Sequence, residues 1–156
     1  MPRLGDAFPI LTLDTVGYGT LSVTDHLAGS YGAVLIYRGS WCPYCNTQLA
    51  AFARAKEKLD ELGLKIAALS VDNKADAATL VDKHHLNFPV GYGADADKIA
   101  GSTGAYVNNS PRYLQSTGLV LDPNGRVITA VYSSGAIGRL VAEDVIGFVR
   151  YVKSKT

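Results

Sequence analysis

The sequence predicts an α/β fold: a three-layer sandwich with a mixed central sheet flanked by helices, and an N-terminal β-hairpin added to it. Three observations lead there. AVLIY at 33–37 and KIAALSV at 65–71 are runs of strand length, apolar enough to be covered on both faces, and a helix-patterned segment follows each. GLVLD and RVITAVY flank Pro123-Asn124-Gly125, which marks a late antiparallel hairpin. An amphipathic segment closes the chain. A right-handed βαβ unit followed by a ββα unit stacks into three layers.

Each element has its own local signal. Ile10–Asp14 and Leu21–Thr24 are short β-prone runs around the glycine-rich VGYG, which reads as the N-terminal hairpin. After the first apolar strand, Leu49, Phe52, Lys56, Leu59 and Leu62 recur at three- and four-residue steps, and Gly63 stands where a helix ends. The spacing predicts one helix of about five turns that begins at the cysteines. Asp72 or Asn73 caps the next helix, which ends near His84-His85. The segment from Leu86 to Tyr106 reads as irregular, with one short helix around Asp95–Ala100. Val141, Val145, Phe148 and Val152 mark the last helix.

With 156 residues, 47% of them hydrophobic and 19% charged, the chain suits a single domain over residues 1–156 with ample core. A net charge of +1 and no long basic run argue against nucleic acid or an anionic membrane as partner. No stretch is long and apolar enough to span a bilayer. Asp6 and two prolines stand where a secretory signal would be apolar, so a cytoplasmic location is expected. Thiols there stay mostly reduced, and a disulfide is usually transient and catalytic.

Both cysteines of the chain lie in YRGSWCPYCNTQ, as Cys42 and Cys45. Placed at a helix start they share a face, so their sulfurs can reach disulfide distance with little backbone change. Unpaired N–H groups and the positive end of the helix dipole favour a thiolate there. Pro43 fits the first turn, where its missing N–H is not needed. Arg38 is a candidate to stabilise the thiolate, or else an ordinary surface ion pair; Trp41 is packing or a platform beside the site. A Cys-x-x-Cys pair where a central strand enters its helix is the thioredoxin-like architecture.

Two other readings are weaker. A structural zinc wants about four ligands, and only His26, His84 and His85 are left to supply the rest, so no metal is expected. Gly135-Ala136-Ile137-Gly138-Arg139 lacks the Gly-Lys-Ser/Thr ending of a phosphate loop and reads as a turn into the last helix.

GDAFPILTLD, AVLIYRGSWCPYCNTQLAAF, ALSVDNKADAATLVDKHHLNFPVGYG and GLVLDPNGRVITAVY, in that order, resemble the peroxiredoxin-like branch of the alkyl hydroperoxide reductase/thiol-specific antioxidant (AhpC/TSA) family, in the thioredoxin-like superfamily. The resemblance covers nearly the whole chain. It implies thiol-dependent peroxidase activity, no cofactor, and a possible homodimer. It also implies an external thiol reductant of thioredoxin, glutaredoxin or glutathione type. Laid on the family's Pro-x-x-x-Thr-x-x-Cys pattern, Arg38 takes the Pro place, Cys42 the Thr place and Cys45 the place of the peroxide-attacking cysteine. The family's active-site arginine falls at Ser116, which leaves Arg38 or Arg112 as candidate replacements. Against thioredoxins, Cys42 takes the attacking place, Cys45 the resolving place, and Thr117 the cis-proline place. The Pro-Tyr dipeptide is the one glutaredoxins use.

Two enzymatic readings follow, and one that is not enzymatic. In a peroxidase, Cys45 attacks a hydroperoxide and Cys42 resolves the sulfenic acid to a disulfide. In a disulfide reductase, Cys42 attacks and Cys45 releases the product. A redox-inactive or metal-binding module would keep the fold and put the cysteines to another use.

Overall fold

The computed structural model describes residues 2–156. Strands β1 (Thr12–Thr15) and β2 (Gly19–Ser22) form the expected N-terminal hairpin, in register from Thr12↔Ser22 to Thr15↔Gly19. The second strand stops earlier than predicted, because a one-turn helix α1 (Val23–Leu27) takes over. Ser22 caps it, and the Val23 N–H turns to the Leu11 carbonyl at 2.8 Å while its side chain is buried.

Strand β3 (Tyr31–Ile36) leads into α2 (Pro43–Arg54) and α3 (Lys56–Glu61), then β4 (Leu64–Leu69). The single long helix read from the spacing is thus two helices, separated at Ala55. At the break the Asn87 amide donates to the Ala53 carbonyl at 3.1 Å, and a side chain entering the helical ladder is a regular cause of such a bend. Gly63 ends the pair as predicted, at φ +69°.

Helix α4 (Lys74–His84) is capped by Asn73, whose side chain accepts from the Asp76 N–H at 2.8 Å. Its neighbour Asp72 is used elsewhere. Two elements lie where the sequence reads as irregular or featureless. Strand β5 (Val90–Tyr92) runs parallel to β4 and antiparallel to β1, and a small hairpin joins β6 (Val107–Asn109) to β7 (Arg112–Leu114). Between them α5 (Ala96–Thr103) is capped by Asp95. Strands β8 (Thr117–Leu121) and β9 (Val127–Tyr132) form the predicted late hairpin, followed by α6 (Ala142–Ser154). The buried face of α6 is Ala142, Val145, Ile146 and Val149; Val141 is exposed, because the helix starts one residue after it.

The main sheet has the order β2-β1-β5-β4-β3-β8-β9 and is mixed: β3 pairs parallel with β4 and antiparallel with β8. Ala33 and Leu35 face one apolar cluster, with Leu49, Phe52, Leu80 and Val149 from α2, α4 and α6. Val34 and Ile36 face the other, with Leu27, Ile99 and Leu114 from α1, α5 and β7. Helices therefore cover both faces of the sheet, which explains why β3 reads as an unbroken apolar run. Among the described residues, no helix is long and apolar enough to cross a membrane. The C-terminal ends of the parallel strands β3 and β4 open onto the start of α2, the end of such a sheet where ligands are bound.

Candidate active site

Chain direction builds the site. Tyr37, the first residue past β3, donates its N–H to the Leu69 carbonyl at 3.0 Å, and the next N–H, from Arg38, points at Cys45 Sγ at 3.4 Å. The loop then turns, with the Cys42 N–H on the Gly39 carbonyl at 3.1 Å, and α2 starts at Pro43. Gly39 lets Trp41 lie against the turn: a Cβ there would sit 2.2 Å from Trp41 Nε1 and push the indole aside. Cys42 is the N-cap, its sulfur accepting the Cys45 N–H at 3.3 Å. Pro43 holds the first helical position as expected.

Each sulfur thus receives one main-chain N–H, and each also receives one guanidinium. Arg38 Nη1 lies 3.7 Å from Cys42 Sγ, and Arg139 Nη1 lies 3.5 Å from Cys45 Sγ. Both arginines are held by other groups. Arg38 donates to Gln115 Oε1 at 3.0 Å and to the Tyr113 hydroxyl at 2.8 Å, and its guanidinium lies about 5 Å from the ring centroids of Trp41 and Tyr113. Arg139 donates to Gln48 Oε1 at 2.9 Å and to the Ala136 carbonyl, and Gln48 in turn donates to the Leu140 carbonyl at 2.9 Å.

Both cysteines are buried and neither is in a disulfide. Burial pushes the Cys42 thiol up, but the Cys45 thiol, the Cys45 N–H and the Arg38 guanidinium together outweigh it, so the net direction is down. The Cys45 thiol is pushed up, first by burial and then by Cys42; the Arg38 N–H and Arg139 only partly oppose this. The two titrate as a pair, with the first negative charge drawn toward Cys42.

The family-model description "AhpC/TSA family" matches residues 4–130, most of the chain. The chain belongs to the AhpC/TSA family. A peroxiredoxin of Treponema denticola is 28% identical over 158 residues, covering 99% of this chain and 74% of that protein. One of Chlorobaculum tepidum is 29% identical, covering 92% and 69%. Among solved structures, a mutant of peroxiredoxin 6 from Arenicola marina superposes with a TM-score of 0.86 at 18% identity, covering 98% and 74% of the two chains. Peroxidoxin BcpB of Mycobacterium tuberculosis gives 0.84 at 14%, covering 97% and 99%. The fold is that of this AhpC/TSA group, and the enzyme class is thiol-dependent peroxidase.

Of the residues singled out in the sequence, Cys42, Cys45, Arg38, Trp41 and Pro43 come together at the start of α2. Trp41 is 55% exposed and makes an edge contact with Tyr113, ring centroids 4.9 Å apart. Thr117 is buried on β8 with its hydroxyl on the Gln115 carbonyl at 3.2 Å, not on either sulfur. Arg112 is away from the site, ion-paired with Asp97 and hydrogen-bonded to Asn109 at 2.9 Å. Position 116 is a serine, and it is Arg139, from the loop between β9 and α6, that brings a guanidinium to Cys45 Sγ. The sequence carried a signal for it, the cation ending GAIGR, but nothing in the spacing ties that turn to the cysteines.

Asp72 was also missed as part of the site. Its carboxylate accepts the Ser40 N–H at 2.8 Å and so ties the end of β4 to the cysteine loop. Burial, followed by an opposing contribution from the Ser40 N–H and a further push from Asp76, leaves its carboxyl above the ordinary value. Above that raised pKa the folded protein carries an ionised group at a cost the unfolded chain does not bear. Below the ordinary carboxylate range both states are protonated and the difference vanishes. Asp72→Asn keeps an acceptor for Ser40, so it is expected to raise the melting temperature near neutral pH. The gain should shrink to nothing as the pH falls below roughly 4. Melting curves of both proteins across that range check this, and a gain that grows in acid contradicts it.

Proposed function

We propose that the enzyme reduces hydroperoxides through a Cys42–Cys45 dithiol–disulfide cycle, in which Cys42 attacks first. The observation that carries the cycle is the arrangement of two sulfurs at one helix start, each with its own main-chain N–H and its own guanidinium. Cys42 is favoured as attacker because its thiol is the one drawn down, and because its chain neighbours Trp41, Pro43 and Tyr44 are exposed, so that little chain separates it from solvent.

The Cys42 thiolate attacks the terminal peroxide oxygen, the O–O bond breaks, and the alkoxide leaves as alcohol or water once protonated. Arg38 and Arg139 offset the charge that moves onto oxygen. Cys42 is then a sulfenic acid. The Cys45 thiol gives up its proton and attacks that sulfur, the S–O bond breaks, water departs and the disulfide forms. An external dithiol protein, or two low-molecular-weight thiols in turn, supplies the two electrons and two protons that restore the dithiol and leaves as a disulfide.

A second reading reverses the roles. It rests on Cys45 standing at the family's attacking position and on the Arg139 contact to its sulfur. Single-cysteine variants separate the two. With one equivalent of hydroperoxide and a sulfenic-acid trap, Cys45→Ser is expected to give an adduct on Cys42, and Cys42→Ser none on Cys45. The opposite pattern would establish Cys45 as the attacker, and no adduct in either variant would sink both readings.

A further inference from the structure

One cluster beside the pair takes no part in the chemistry above. Asn46, in the first turn of α2, donates its side-chain amide to two main-chain carbonyls, Ser40 at 2.8 Å and Cys42 at 2.7 Å. Its own N–H also reaches the Cys42 carbonyl at 3.0 Å. The amide's orientation follows from this: the reverse would set its oxygen against two carbonyls. Both amide hydrogens are therefore spent on Ser40 and Cys42, and Oδ1 faces His84 Nε2 at 2.7 Å. Since Oδ1 can only accept, His84 must carry its proton on Nε2. The last residue of α4 thus fixes a side chain of α2 that pins the peptide groups on both sides of Trp41 and Cys42.

We propose that Asn46 and His84 form a positioning clamp for the redox turn, holding Cys42 at the N-cap so that its sulfur stays on the Cys45 N–H and beside Arg38. The clamp rests on the dithiol reading of Cys42 and Cys45. Without it, the loop from Ser40 to Cys42 is tied to α2 only by the Asn46 N–H on the Cys42 carbonyl and the Cys45 N–H on the Cys42 sulfur, and that sulfur loses the fixed geometry that favours its thiolate. The neutral Nε2–H tautomer and the imidazolium both donate to Asn46, so the clamp persists as His84 titrates. Burial, then Lys83, Arg54 and His85, press His84 toward the neutral form. Those three are the charged or titratable groups that bear on it from α2, from α4 and from the residue that ends α4.

His84 is half-buried at a helix end, so substitutions there should leave the fold intact. The test titrates the thiolate by its ultraviolet absorbance in the reduced native protein, in His84→Phe, in His84→Gln and in Asn46→Leu. In parallel, each protein is equilibrated against a glutathione redox buffer. His84→Phe and Asn46→Leu are expected to raise the midpoint of the first thiol titration by about one pH unit, a roughly tenfold loss of thiolate at fixed pH. His84→Gln, which keeps a donor, is expected to return most of it. Native titration in all three variants, or His84→Gln behaving like His84→Phe, overturns the clamp. The redox buffer reads the dithiol couple itself: if the native pair never forms the Cys42–Cys45 disulfide, the underlying reading fails, independently of any variant.

Discussion

Arg139→Leu is expected to lower kcat/KM for hydroperoxide by roughly 10²–10³-fold, the usual cost of deleting one fixed donor from a charge-stabilising site. Arg139 is the guanidinium on Cys45 Sγ, and it also helps draw the Cys42 thiol down. Its loss should therefore slow two steps, formation of the Cys42 thiolate and attack by Cys45 on the sulfenic acid. The pH–rate profile should move to higher pH, because the removed charge favours the ionised form of both thiols. The fold should survive, since Arg139 is bound to Gln48, to the Ala136 carbonyl and to a sulfur, with no carboxylate left behind unpaired. Arg139→Lys should recover little: an ammonium lacks the planar fork that serves Cys45 and Gln48 from one nitrogen and Ala136 from the other. Arg112→Leu provides the contrast and should leave kcat/KM unchanged, because that side chain is engaged with Asp97 and Asn109. An Arg139→Leu enzyme within about threefold of the native rate would refute this role.

These expectations depend on contacts of very different legibility. Strands β3 and β4 were visible in the sequence because both of their faces are covered, which turns burial into unbroken apolar runs. The start of α2 was visible because the cysteine spacing, Pro43 and the preceding strand are local signals that agree with one another. Strand β5 was not, since a three-residue strand with Gly91 at its centre has neither length nor alternation to read. The second half of the site was hidden for a different reason. Arg139 reaches Cys45 from 94 residues away, and Gln115 and Tyr113 reach Arg38 from 77 and 75 away. Local patterns say which turns form but not which turns meet. Asn46 and His84 show the same limit: each reads as an ordinary helix residue until α2 and α4 are packed side by side.

The same long-range geometry makes Gly118 a position where a single methyl group should do harm at the site from a distance. Gly118 is the second residue of β8, between Leu35 of β3 and Val131 of β9. A Cβ there would stand 2.6 Å from Leu140 Cδ1 and 2.7 Å from Cγ, closer than side chains can approach. Leu140 is buried and follows Arg139 directly, and its carbonyl holds Gln48, which holds Arg139. Displacing Leu140 therefore moves the guanidinium away from Cys45. Gly118→Ala is expected to cost about 1–3 kcal/mol, the range for forced overpacking. That corresponds to roughly 2–4 °C in melting temperature per kcal/mol for a chain of this size. It should also reduce peroxide turnover, although residue 118 touches neither sulfur. Leu140→Ala opens the space the new methyl needs, at its own cost of about 2–5 kcal/mol for a truncated core leucine. In that background Gly118→Ala should be neutral, or stabilising by about 0.4–1 kcal/mol through the stiffer unfolded chain. A double-mutant cycle by denaturant unfolding measures the difference. Additive costs would mean that the strand itself, and not the approach of Leu140, is what requires glycine at this position.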